Sequence, residues 1–131
     1  MRILALDYGA ARTGVAVSDA TGTIAIPLAV VERAASGEGL ERIRGLVQKA
    51  EAEVVVVGLP LTLRGEHGRQ ARETEAFVEK LRTALQVPVE TYDERFTTAL
   101  AVRAPGGAPE DARAAAHLLD GYLAWKSDSP T

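Results

Sequence analysis

The chain has 131 residues, of which 47% are hydrophobic and 25% are charged, a composition typical of a globular domain and not of a disordered segment. Cysteine is absent and histidine occurs twice, which excludes disulfide bonds and thiolate zinc sites and leaves oxygen ligands for any bound metal. The net charge of −3 argues against a broad basic binding surface, although 15 Lys and Arg residues suffice for a local phosphate-binding groove.

The first quarter of the chain predicts three strands joined by tight turns. They are RILALD (2–7), TGVAVSD (13–19) and IAIPLAVVE (24–32). Pro27 lacks a backbone donor, so the third strand is expected at a sheet edge or beside a bulge. Consecutive strands with short turns form an antiparallel meander.

The pattern then changes to alternating helices and strands. Apolar residues recur at helical spacing over 40–52 and 71–85, and each helix precedes a strand, EVVVVGLP (53–60) and VPVETYDE (87–94). A last helix is predicted over 109–126, because Pro and two acids open that segment. The sequence therefore predicts an α/β fold with a five-stranded mixed sheet, in which strands 1, 4 and 5 are parallel and helices flank the faces.

These elements predict a single domain over 1–126 and a flexible C-terminal tail over 127–131. No segment has the length of a membrane span or the pattern of a signal peptide, which predicts a cytoplasmic protein without a membrane partner. We expect a monomer or a weak homodimer.

Three acidic residues are expected to meet at one edge of this sheet. Asp7 ends strand 1 and Glu94 ends strand 5, and the carboxyl ends of parallel strands border one crevice. Asp111 opens the last helix on the stripe predicted to face the sheet. Each has an ordinary alternative: a turn former for Asp7, a solvated loop for 93–95, and a complement to the helix dipole for Asp111.

Clustered carboxylates are hard ligands that suit Mg²⁺ or Mn²⁺. Two such ions about 4 Å apart can clamp the attacking and leaving oxygens of a phosphodiester. The sequence therefore predicts metal-dependent hydrolysis of nucleic acid, with Asp7, Glu94 and Asp111 as catalytic metal ligands.

Residues beside these acids are candidates for substrate contact. Gly9 permits close approach of a phosphate to backbone N–H groups, and Gly58 ends strand 4. Arg12 and Arg95 each adjoin a proposed ligand and suit phosphate, although either could form an ordinary ion pair.

Four segments resemble, in order, the motifs of the YqgF/RuvX family: LALDYGAARTGVAVSD, VVVVGLPLTLRGEHGRQA, VETYDERFTTALA and DARAAAHLLDGYL. This family is similar to the RuvC Holliday-junction resolvases and shares the ribonuclease H-like fold. The resemblance implies a nuclease that processes pre-16S rRNA in ribosome biogenesis. It implies Asp7, Glu94 and Asp111 as site acids, with Asp93 as a further metal ligand, and the DERFTT motif supplies Arg95 and Thr97 as candidate substrate contacts.

Other functions remain open at this point. A DNA junction resolvase would use the same acids on four-way DNA. A weakly active or non-catalytic RNA-binding assembly factor would fit the acidic net charge and the connection 99–110, which lacks the family's Lys/Arg cluster. The turn DYGAARTG also resembles the phosphate loop of actin-like and sugar-kinase ATPases, which clamp nucleotide between two such domains, whereas this chain has the length of one.

Overall fold

The computed structural model describes residues 1–61, 64–94 and 109–128. Within these ranges one sheet has the strand order β3-β2-β1-β4-β5. Its strands are β1 (Ile3–Asp7), β2 (Arg12–Ser18), β3 (Ala25–Glu32), β4 (Val54–Leu59) and β5 (Val89–Asp93). The helices are α1 (Gly37–Ala50), α2 (Arg69–Ala84) and α3 (Glu110–Asp128).

The predicted mixed sheet is confirmed. β1 pairs antiparallel with β2 and β2 with β3, whereas β1 with β4 and β4 with β5 are parallel. Pro27 lies in the edge strand β3, and the register shifts beside it, because Val15 pairs with Ala29 and Ala16 with Pro27. The strand therefore has both features that accommodate a proline.

Both faces of the sheet are covered, which explains the continuous apolar run of β4. Val55 and Val57 belong to a core with residues of α1 and α2, and Val54 and Val56 belong to a core with residues of α3. Strand alternation thus sends every second side chain to each layer. Because β1 and β4 lie inside the sheet, a residue at their carboxyl ends is held by neighbours on both sides.

An aromatic stack holds the turn that follows β1. The ring of Tyr8 lies on the ring of Phe77 of α2, with centroids 4.3 Å apart and planes inclined by 21°. Phe77 is buried, so the stack ties the residue after Asp7 to the helical layer on the face opposite α3.

The single-domain organisation over 1–126 remains a prediction. Helix α3 continues to Asp128, so the first two residues of the predicted tail are helical, and 129–131 lie outside the described residues. In the described part of the chain, no helix combines the length and the apolar character needed to cross a bilayer.

We expect Leu6→Ala to lower the free energy of unfolding by about 2–5 kcal/mol, because Leu6 is fully buried and its removal leaves a cavity. Leu28→Ala is the matched control, since Leu28 also lies in a strand but is 42% exposed. That change should stay within about 0.5 kcal/mol. Urea unfolding of both variants measures the difference, and equal losses would contradict this account of the core.

Candidate active site

Asp7 occupies the centre of the candidate site, as the last residue of β1. It is half-buried, and its partner across the antiparallel ladder is Gly14 of β2. Because Ile3 and Ala5 belong to the core with α3, strand alternation places Asp7 on that same face. The carboxylate therefore lies at the carboxyl edge of the parallel strands, as predicted, on the side covered by α3.

Glu94 follows β5 and forms a side-chain hydrogen bond with Asp7. Burial raises the pKa of Glu94 to about 7, and the charge of Asp7, the hydrogen bond to Asp7 and the charge of Asp93 act in the same direction. Burial also raises the pKa of Asp7; the bond with Glu94 opposes that rise and the charge of Asp111 adds to it. Below about pH 7 Glu94 thus keeps its proton and donates the hydrogen bond to Asp7.

Asp111 reaches the site from the first turn of α3. A side chain at Gly14 would overlap the carbonyl oxygen of Asp111, so the glycine lets the start of the helix lie directly on β2. The Asp111 carboxylate accepts from Arg12, with Nε and Oδ2 3.2 Å apart. Its charge raises the pKa of Asp7, so the third predicted acid lies near the pair but is neutralised by the guanidinium.

Of the remaining predicted site residues, the structure describes Asp93 but not Arg95 or Thr97. Asp93 ends β5 opposite Leu59 and is close enough to raise the pKa of Glu94. Arg95 and Thr97 lie outside the described residues, so their substrate contacts stay predictions.

Atoms of the protein itself lie against both glycines that the sequence predicts to contact substrate. The N–H of Gly9 donates to the hydroxyl of Thr13, and that hydroxyl lies equally near the carbonyl of Gly9, at 3.4 Å in each case. Gly58 is buried, and its open side is filled by the side chains of Glu94 and Leu118. Direct contact of these glycines with substrate stays a prediction, and the structure assigns each an internal neighbour.

The Asp7–Glu94 pair fits a divalent cation by its donor chemistry. Two half-buried carboxyl groups in contact repel each other when both are charged, and a hard cation would relieve that repulsion in place of the shared proton. Within 1–61, 64–94 and 109–128, no three Asp, Glu, His or Cys side chains form a group that could hold a metal ion. Asp7 and Glu94 are therefore in contact with each other, whereas the Asp111 carboxylate forms an ion pair with Arg12.

Sequence reasoning gave too little weight to the glycines of strands β2 and β4. Gly14 lies inside β2 and is the docking point of α3. The available signal was its position: a glycine inside a strand often marks the close approach of another backbone. The stack of Tyr8 on Phe77 had no such signal, because it joins residues of two distant segments.

Known proteins match this chain over nearly its whole length. A family model described as "RuvX: Holliday junction resolvase" matches residues 1–125. A protein from Chloroflexus aurantiacus named "Putative pre-16S rRNA nuclease" is 42% identical, covering 98% of this chain and 90% of its own length. One of the same name from Halothermothrix orenii is 38% identical, covering 97% of each.

Among solved structures, the chain is similar in fold to T. thermophilus RuvC in complex with a Holliday junction substrate. The TM-score is 0.68 at 19% identity, and the match covers 100% of this chain and 98% of that chain. A second T. thermophilus RuvC structure gives a TM-score of 0.63 at 18% identity. At such low identity the likeness concerns the fold, and it agrees with the predicted ribonuclease H-like sheet.

In the metal-free chain we expect stability to decrease as the pH rises from about 4.5 to about 7. The native state keeps the proton of Glu94 until its pKa of about 7, whereas the unfolded chain releases it near 4.5. Across that interval the native state binds more protons, so the free energy of unfolding decreases with pH. Glu94→Gln stays neutral and should reduce the decrease. Urea midpoints in EDTA compare both chains, and an identical pH profile would contradict the assignment.

Proposed function

This chain belongs to the RuvX family, and from that premise we propose that it is a divalent-metal-dependent nuclease that hydrolyses phosphodiester bonds in structured RNA, with pre-16S rRNA as its substrate. The observation that carries the proposal is the half-buried Asp7–Glu94 pair at the carboxyl edge of the parallel strands. Ligand sites of open α/β sheets lie at this edge.

Asp7 and Glu94 are the residues that would hold the metal. Asp7 lies on a central strand, which limits its movement. Glu94 follows β5 and places its carboxyl group against that of Asp7. Mg²⁺ or Mn²⁺, when bound, supplies positive charge that stabilises the phosphorane-like transition state. Asp111 is the third ligand in the proposal, with Asp93 beside Glu94.

Arg12 has two proposed roles that follow from its position. It neutralises Asp111, and its side chain is 67% exposed against 40% for Asp111. An exposed ion pair contributes about 0–1 kcal/mol, so the guanidinium can leave Asp111 at little cost. Once free, it is placed to bind a phosphate of the substrate backbone in a bidentate manner.

The RNA substrate is supported by the names of the two relatives at 42% and 38% identity. A nuclease of pre-rRNA would act in the cytoplasm, in agreement with the location expected from the sequence. The second candidate is junction resolution on four-way DNA. It is favoured by the description of the family model and by the fold of RuvC, which was solved with a Holliday junction.

We expect Asp7→Asn to reduce Mn²⁺-dependent cleavage of a precursor rRNA fragment by at least about 10²-fold, because misplacing or losing a central metal ligand disturbs the whole site. Asp19→Asn is the matched control. Asp19 follows β2 and accepts hydrogen bonds from Thr23 and Ile24, at the opposite edge of the sheet. Cleavage should persist there.

Gel-resolved cleavage and a filter-binding assay should be run on the same preparations. Unaltered cleavage by Asp7→Asn would remove Asp7 from the mechanism. Wild-type protein that binds the RNA and never cleaves it would instead identify a non-catalytic assembly factor.

The two candidate substrates can be separated by kcat/KM at matched salt, since nucleic-acid affinity depends steeply on ionic strength. We expect the precursor rRNA fragment to be cleaved more efficiently than a four-way DNA junction, with linear duplexes of each as controls. The opposite order would establish the junction as the preferred substrate.

A further inference from the structure

Asp7 lies between two glycines in one row across the sheet. Gly14 pairs with it from β2, and on the other side the β1–β4 register, in which Leu6 pairs with Val57, brings Gly58 alongside it. Tyr92 of β5 follows next to Gly58. The row therefore reads Gly14, Asp7, Gly58, Tyr92, on the face covered by α3.

The space above Gly58 is filled by side-chain atoms of Glu94. A β-carbon at Gly58 would lie 2.5 Å from Oε1 and 2.9 Å from Cγ of Glu94, and 2.9 Å from Cδ2 of Leu118. These distances are far below van der Waals contact, so a side chain there would force a neighbour to move. Leu118 is 3% exposed within the core, whereas the Glu94 carboxyl is the free end of a longer side chain. A side chain at position 58 would therefore displace the Glu94 side chain before it displaced Leu118.

We propose that Gly58 is a positioning residue: its missing side chain leaves the gap across which Glu94 reaches Asp7. Its relevance to metal binding rests on the function proposed above. The gap lies between the two strands that carry the acids, so filling it separates the carboxyl groups. Gly58 thus acts through Glu94 and not through contact with substrate.

Gly14 provides the contrast on the other side of Asp7. A side chain there would meet the backbone of Asp111 and Ala112, which cannot turn aside as a carboxyl group can. Replacing Gly14 should disturb the docking of α3, whereas replacing Gly58 should displace one carboxyl group and leave the fold intact. The two glycines beside Asp7 therefore have different roles: Gly14 admits the backbone of α3, and Gly58 admits the side chain of Glu94.

The test compares Gly58→Ala with wild type in the full chain, and uses Gly45→Ala as control. Gly45 is an exposed residue of α1 with no atom near an added β-carbon. In a metal-free crystal structure of Gly58→Ala, we expect the Glu94 carboxyl to have lost its bond to Asp7 while the sheet is unchanged. A retained bond would overturn the proposal, whether or not the chain binds metal.

Mn²⁺ affinity, measured by electron paramagnetic resonance, gives the functional readout. Gly58→Ala should weaken binding by about tenfold or more, since a displacement of about 1 Å can cost about a hundredfold in function. In a Glu94→Ala background the same change should have a much smaller effect, because alanine lacks both Glu94 atoms that a β-carbon at position 58 would meet. Equal weakening in both backgrounds would show a general packing defect and overturn the proposal.

Thermal unfolding of each variant verifies that the fold persists. If wild type binds no Mn²⁺, the proposed nuclease mechanism fails, and the metal-free structure of Gly58→Ala still decides the role of Gly58. The two failures are therefore distinguishable.

Discussion

Two carboxyl groups held in contact at a half-buried position are the constraint on which the site depends. Two negative charges so close in a partly desolvated environment repel each other strongly, so the pair needs a proton or a cation. In the metal-free chain the proton stays on Glu94 below about pH 7, because burial and the charge of Asp7 raise the pKa of Glu94 to about 7. Repulsion between the two carboxylates favours binding of this proton. It favours binding of a divalent ion for the same reason, because a proton or a cation reduces the repulsion.

The fold maintains this contact with elements that cannot easily move apart. Asp7 is carried by β1, which is paired on both sides, and Glu94 follows β5, which is joined to β1 through β4. Tyr8 is anchored on Phe77 from the opposite layer, and α3 covers the face of the site. A site built on such rigid elements keeps its geometry within the narrow tolerance that catalysis requires.

The site also has a buried side and an exposed side. Asp7 and Glu94 lie toward the core, whereas Arg12 is largely exposed and Asp111 partly so. Charges interact strongly where water is excluded and weakly where it is not. The arrangement therefore concentrates the strong electrostatic interactions on the proposed metal ligands, and it leaves at the entrance an ion pair that an incoming phosphate can replace.

The sequence by itself determined the elements, their order and the positions of Asp7 and Glu94 at strand ends, because burial imposes periods of 2 and 3.6 on the chain and each change of period marks a boundary. Only the tertiary structure decided that Glu94 bonds to Asp7, that Arg12 neutralises Asp111, and that Gly14 and Gly58 admit neighbouring groups on either side of Asp7. These contacts join segments far apart in the chain. Their geometry depends on strand register and on how closely α3 approaches the sheet, which local patterns do not encode.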